Sequence, residues 1–138
     1  DAGRCLEGII RTVVEQREGA VIYHCSAGKD RAGVISALLL RLLGAEDSAI
    51  YADYLYTNTA LSHELEEAQS AALALSGDER AANYVLGFFA ACPCWLAAAL
   101  DTLDKRFYSI EGYIAQMTKV TGWEAEEFKR ICIEKSPD

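Results

Sequence analysis

Apolar residues recur at helical spacing along most of the chain. Leu6, Ile9, Ile10, Val13 and Val14 fall at i, i+3, i+4, i+7 and i+8, with Arg4, Glu7, Arg11, Glu15 and Arg17 between them. This pattern predicts an amphipathic helix over residues 4–17, ended by Glu18-Gly19. The short apolar run Ala20–His24 predicts a buried strand. Small and polar residues follow, and then Val34–Leu43, apolar nearly all round, closes on Gly44. A helix without a polar face belongs at the centre of a core. Asp47 or Ser48 can cap the next helix, with Ile50, Tyr54 and Leu55 inward, and Thr57-Asn58-Thr59 is a weak helical stretch that predicts a bend. Leu61, Leu65, Ala68, Ala72 and Leu75 continue a helical stripe. Ser76-Gly77-Asp78-Glu79 has capping-box spacing and opens a helix through Phe88 and Phe89. Pro93 fits the first turn of a helix running to about Phe107. Ser109 and Thr121 are further N-caps, the second with Glu124 three residues on, for helices from Ile110 to about Lys119 and from Trp123 to Glu134.

Composition narrows the class. The 138 residues, 51% of them hydrophobic, suit a single domain over 1–138 with a real core. A net charge of -8 argues against nucleic acid or an anionic membrane as the main partner. The acidic runs Glu64, Glu66, Glu67 and Glu124, Glu126, Glu127 predict solvated helix faces. Residues 81–100 are apolar, but Asn83, Gly87 and Pro93 interrupt them, which predicts two buried helices with a break and no membrane span. The cysteines Cys5, Cys25, Cys92, Cys94 and Cys132 are odd in number and lack framework spacing, which suits a reducing, cytoplasmic compartment. Cys92-Pro93-Cys94 has no second pair, and only two histidines accompany it, so no metal or redox element is expected there. The sequence opens on Asp1 and its one methionine is Met117. The native N-terminus is therefore expected upstream, which leaves secretion open.

The candidate chemistry lies between the strand and the all-apolar helix. Cys25 and Arg31 are separated by Ser26, Ala27, Gly28, Lys29 and Asp30. That length lets the backbone curl into a cradle of inward N–H groups, at which the next helix aims its N-terminus; such a nest binds an anion. The same field favours thiolate over thiol at Cys25. Arg31 can grip two phosphate oxygens at once. A nucleotide-binding Walker loop would need Gly at position 23 and Ser or Thr at position 30, where Tyr23 and Asp30 stand. A sulfur carrier of the rhodanese type does not call for the arginine, and an ordinary buried thiol calls for neither arginine nor cradle.

His24-Cys25-x5-Arg31 resembles the signature loop of the cysteine-dependent protein tyrosine phosphatase superfamily. The fuller run His24-Cys25-Ser26-Ala27-Gly28-Lys29-Asp30-Arg31-Ala32-Gly33 is similar to the lipid-like or atypical tyrosine phosphatases of bacteria and fungi. The segment Asp53-Tyr54-Leu55 and the run from Trp95-Leu96 to Tyr108–Ile114 carry the resemblance further with less specific residues. It implies an α/β phosphatase fold of which this chain is the C-terminal portion, mostly helical because further strands belong to an N-terminal half. That half, or another chain, would supply the ladder partners that a lone strand lacks.

The resemblance further implies hydrolysis of phosphate monoesters through a phosphocysteine: phosphotyrosine in proteins or peptides, with phosphoserine, phosphothreonine or phosphoinositides as further substrates. Cys25 is then the nucleophile, Arg31 and the backbone of residues 26–31 bind phosphate, and no metal or cofactor is required. His24 either orients the loop and tunes the thiolate or is a strand-end residue bonded into the core. Asp30 is the nearer candidate for the general acid, or it pairs with Lys29 and shapes the loop; Asp1 has no surrounding motif. Lys29 either widens the range toward multiply phosphorylated ligands or is a solvated charge. Asp53 and Asn58 either approach the pocket or lie on a helix surface. Ala32 stands where the superfamily usually has Thr or Ser, whose hydroxyl can bond the sulfur, so its loss should raise the Cys25 pKa and slow phosphoenzyme breakdown. The rival class is a phosphate-binding module without turnover, a pseudophosphatase or a truncated fragment; a third is a thiol redox or sulfur-transfer protein.

Overall fold

The computed structural model describes residues 2–17 and 19–133, and these form eight helices and no strand. In chain order they are α1 (Ala2–Gln16), α2 (Arg31–Leu42), α3 (Asp47–Ala60), α4 (Ser62–Ser76), α5 (Glu79–Phe89), α6 (Pro93–Phe107), α7 (Ile110–Met117) and α8 (Gly122–Cys132). Asp1, Glu18 and Glu134, named above, lie outside the described residues.

The all-round apolar character of α2 has a simple cause. Its Ile35, Leu38, Leu39 and Leu42 pack with Leu6 and Ile10 of α1, Ile110 and Ile114 of α7 and Phe128 of α8. Its Ala37 belongs to a second cluster, with Ile50 and Tyr54 of α3 and Leu96 and Leu100 of α6. A helix wedged between two cores has no side left for water. Each fully buried Leu or Ile contributes about 1.5–3 kcal/mol relative to exposure, so this packing fixes where α2 begins and therefore where the candidate loop lies.

A polar seam joins α1 to the C-terminal helices. Arg11 donates to Glu124 at 2.9 Å and to the carbonyl of Lys119 at 2.7 Å, and it also pairs with Glu7. Glu7 in turn accepts from the Lys119 N–H at 2.9 Å. Glu124 closes the capping box of α8 with Thr121, as the spacing predicted. The expectation of a freely solvated face fails for two of the three C-terminal acids: Glu124 is held by Arg11, and Glu127 bridges Arg130 and Arg17. Glu64, Glu66 and Glu67 do face solvent.

Several other expectations are corrected. Residues 20–24 form no strand. Their side chains still alternate, with Ile22 87% exposed and Tyr23 packed on the core, but no described strand lies beside them to form a ladder. Tyr23 is tied to α2 by a 2.9 Å hydrogen bond to Ser36. The N-cap of α3 is Glu46, without a side-chain cap, and Thr57–Thr59 remain helical because the break falls at Leu61. Asp78 caps α5, while Gly77, at φ +65°, ends α4. Cys92 and Cys94 are joined in a disulfide across Pro93.

The expected pair of buried helices over 81–100 is half right. α6 buries Leu96, Leu100 and Leu103, whereas α5 buries Ala82 alone. α5 packs mainly on α4, which buries none of its residues. Among the described residues no single helix is long and apolar enough to cross a membrane; α5 and α6 meet the length and composition together but bend by 44° at their break.

That break is pinned by Asn58. Its side-chain amide donates to the Ala91 carbonyl at 2.9 Å and accepts from the Ala91 N–H at 2.7 Å, imitating a strand partner for a residue only 3% exposed. Asn58→Ala leaves both backbone groups unsatisfied. The expected loss is about 1–3 kcal/mol of stability, seen in urea unfolding as a lower midpoint at unchanged slope.

Candidate active site

The loop from Cys25 to Asp30 runs into the first turn of α2. Gly28 has φ +72°, a left-handed conformation that residues with a side chain rarely adopt, and it turns the chain so that successive N–H groups converge. The backbone N–H groups of Ala32, Gly28 and Ala27 favour the charged form of the Cys25 sulfur. The carbonyls of Lys29 and Asp30 accept from Gly33 at 3.1 Å and Val34 at 2.9 Å, so the loop is continuous with the helix hydrogen bonding.

These donors hold the Cys25 thiol below its ordinary value. The Ala32 N–H contributes most, Gly28 and Ala27 add to it, and the Arg31 guanidinium adds its charge, while partial burial works in the opposite direction. Residue 32 thus still serves the sulfur, through its backbone, although it lacks the hydroxyl expected from the resemblance. The Arg31 guanidinium reaches across to Ser26 Oγ at 3.4 Å. His24 is exposed, with Nδ1 3.2 Å from the Cys25 carbonyl oxygen; it contacts the loop backbone.

Asp30 and Lys29 form a pair. Lys29 Nζ donates to both Asp30 carboxylate oxygens, at 2.9 and 2.8 Å. Lys29 is only 5% exposed, and Nζ lies 5.1 Å from the ring centroid of Trp95. The solvated-charge reading of Lys29 is therefore corrected: the side chain is folded inward under an indole. Asp30 is the N-cap residue of α2 by position yet makes no side-chain cap: its backbone is helical, at φ -81° and ψ -70°, and its carboxylate bonds the ammonium.

A cavity of about 500 Å³ opens beside the loop, lined by His24, Cys25, Asp30, Arg31 and Ala32 together with Cys5 of α1. Cys5 lies 20 positions from Cys25 in sequence, and nothing in the linear pattern links the two. Asp53 is exposed on α3, and Asn58 is spent on Ala91. Among the described residues no cluster of three or more His, Cys, Asp and Glu side chains could hold a metal ion.

Two aromatic residues of the site were not recognised as such in the sequence. A Cβ on Gly33 would lie 2.8 Å from two ring carbons of Tyr54, so the loop helix sits hard against that ring. Burial chiefly, and then the charge of Asp30, raise the Tyr54 pKa, while the Cys92 N–H hydrogen-bonded to it works the other way. Tyr54 therefore touches both the loop and the corner before α6. Trp95, from the first turn of α6, covers Lys29. Aromatic residues at helical spacing read simply as core in a sequence.

The lowered Cys25 value has a definite pH signature. A thiol depressed by folding stabilises the native state fully above its unfolded value, and that contribution is lost as pH falls through the folded value. Alkylation by iodoacetamide followed against pH is expected to show a midpoint below the ordinary 9.0, moving upward in Arg31→Ala and downward in Ala32→Thr. A midpoint unmoved in both variants would contradict the assigned causes.

The match to known proteins extends over almost the whole chain. The family described as "Tyrosine phosphatase family" matches residues 1–134. Triple specificity protein phosphatase PtpB of Mycobacterium tuberculosis is 32% identical over 124 residues, which covers 82% of this chain and 43% of that protein. A tyrosine-protein phosphatase of Nostoc commune is 44% identical over 46 residues, 33% of this chain and 16% of its own length. The chain spans less than half the length of these curated relatives. A match of this extent, joined to a loop cysteine ringed by backbone donors and an arginine, leads to one conclusion: the chain belongs to the tyrosine phosphatase family.

Proposed function

We propose that the chain carries the nucleophilic core of a cysteine-dependent phosphatase that hydrolyses phosphate monoesters, phosphotyrosine first among them. The observation that carries the reading is geometric: Cys25 and Arg31 line one cavity at the N-terminus of α2, where Gly28 at φ +72° turns the loop backbone and its N–H groups lower the thiol. A thiol lowered in this way gives up its proton more readily, and the thiolate is the attacking form. In-line attack on phosphorus expels the alcohol or phenol, and charge on the equatorial oxygens meets loop N–H groups and the guanidinium. Water then displaces Cys25 from phosphorus, releasing inorganic phosphate. No step in this scheme calls on a metal or cofactor.

Finer features belong to the same proposal. The Gly28-Lys29-Asp30-Arg31 run supports a lipid-like, atypical subgroup reading, with phosphoserine, phosphothreonine and phosphoinositides as further substrates. The name of the mycobacterial relative speaks of triple specificity for that protein. An N-terminal segment or another chain completes a sheet beside residues 20–24, where Ile22 lies bare. Asp30 is the candidate general acid, and it would act once Lys29 releases one of its oxygens. That both oxygens are engaged favours the second reading, a phosphate-binding module without turnover.

Phosphate release from an aryl phosphate separates the two. Turnover inhibited by vanadate, absent in Cys25→Ser and reduced about a hundredfold or more in Arg31→Ala, is the expected result. Vanadate binding without turnover would leave the non-catalytic reading, and neither binding nor turnover would remove the site.

A further inference from the structure

Lys29 is an unusual member of an anion-binding loop, because its cation is turned away from the loop mouth. It lies almost wholly buried, with its ammonium on both oxygens of Asp30 and against the face of Trp95. Asp30 alone does not account for this. Its carboxylate is half exposed, and a lysine bonded to an exposed neighbouring carboxylate could remain in solvent. What covers Lys29 is an indole from 66 positions further along the chain.

The indole is presented by a corner fastened at several points. The Trp95 backbone N–H donates to the Cys92 carbonyl at 3.1 Å, and the Cys92–Cys94 disulfide closes the turn before it. Asn58 holds Ala91 by two hydrogen bonds, and Ala91 shares a buried cluster with Tyr54, whose ring abuts Gly33 of the loop helix. Loop and corner are thus locked in register. A fixed aromatic face within about 6 Å of an ammonium attracts it through the ring quadrupole.

We infer that Trp95 is a positioning residue for the loop: its indole holds Lys29 folded onto Asp30, so that Arg31 is the one loop cation left to the incoming phosphate until Lys29 is drawn away from Asp30. This rests on the phosphatase reading for its consequence in turnover, but the contact itself does not. A ligand with a second phosphate must draw Lys29 out from under the indole before it gains that cation. Trp95 thereby sets the preference between singly and multiply phosphorylated ligands from outside the loop.

Brief acylation of the full chain with acetic anhydride, followed by mass spectrometry at each lysine, tests the contact without needing turnover. Lys129, with a side chain 26% exposed on α8, reports general loosening. Trp95→Ala is expected to raise labelling at Lys29 by about two- to fivefold with Lys129 unchanged, and Trp95→Phe, which keeps an aromatic face, stays close to the parent. With substrates, Trp95→Ala should lower KM for a doubly phosphorylated aryl compound relative to its monophosphate by a similar factor, and Trp95→Phe should restore the parent ratio. Equal Lys29 labelling in the parent and Trp95→Ala overturns the inference, as does a matching rise at Lys129, an unchanged KM ratio, or a Trp95→Phe variant that behaves like Trp95→Ala. Absence of any phosphate release by the parent chain removes the proposed function, while the labelling still decides the role of Trp95.

Discussion

The burial of α2 on both sides is the constraint on which the site depends. A first turn anchored by Ile35, Leu38 and Leu39 in one cluster and by Ala37 in the other cannot shift without opening a core. The N–H of Ala32 belongs to that turn, and it is the largest of the influences that lower the Cys25 thiol. Apolar packing several residues away therefore determines an ionisation. The sulfur is tuned mainly by backbone donors held in place by a helix, with the charge of Arg31 as an addition.

A second support comes from the other side. Tyr54 of α3 meets Gly33, and Trp95 of α6 meets Lys29, so two aromatic residues from separate helices press on the loop and its helix. Both connect to the corner at Ala91–Cys94, which is fastened by Asn58 and by the disulfide. In contrast, α4 and α5 rest chiefly on each other and bury little. The molecule thus divides its packing unequally: it is dense around α2 and sparse in the α4–α5 hairpin, where Leu75, Tyr84 and Phe88 face outward.

The loop also illustrates how one charge can be removed from a binding site without being removed from the sequence. Lys29 and Arg31 stand two positions apart, yet one is buried against Asp30 and Trp95 and the other is exposed at the cavity. Guanidinium is the better match to a phosphate because its donors form a planar fork. Under the proposed function, an ammonium engaged by a carboxylate and an aromatic face leaves that task to the arginine.

Much of the local structure was legible in the linear pattern because it depends on neighbours in sequence. The α1 stripe, Pro93 at the start of α6, the caps at Ser109 and Thr121 and the Cys25-x5-Arg31 spacing each express contacts within a few residues. Long-range matters were not legible. Whether Ala20–His24 forms a strand depends on a neighbouring strand, which the described residues lack, and the run remains irregular. Glu124 looked like one more surface acid until Arg11, 113 positions away, met it. In sequence Asn58 belongs to a weak helical stretch and reads as a pocket residue or a helix-surface one, and tertiary structure made it the backbone partner of Ala91. The sequence by itself determined the chemistry available at the loop, since cysteine, glycine turn and arginine are close together in the chain. Tertiary structure alone decided which of the two loop cations faces the cavity, because the indole that covers Lys29 arrives from a different helix.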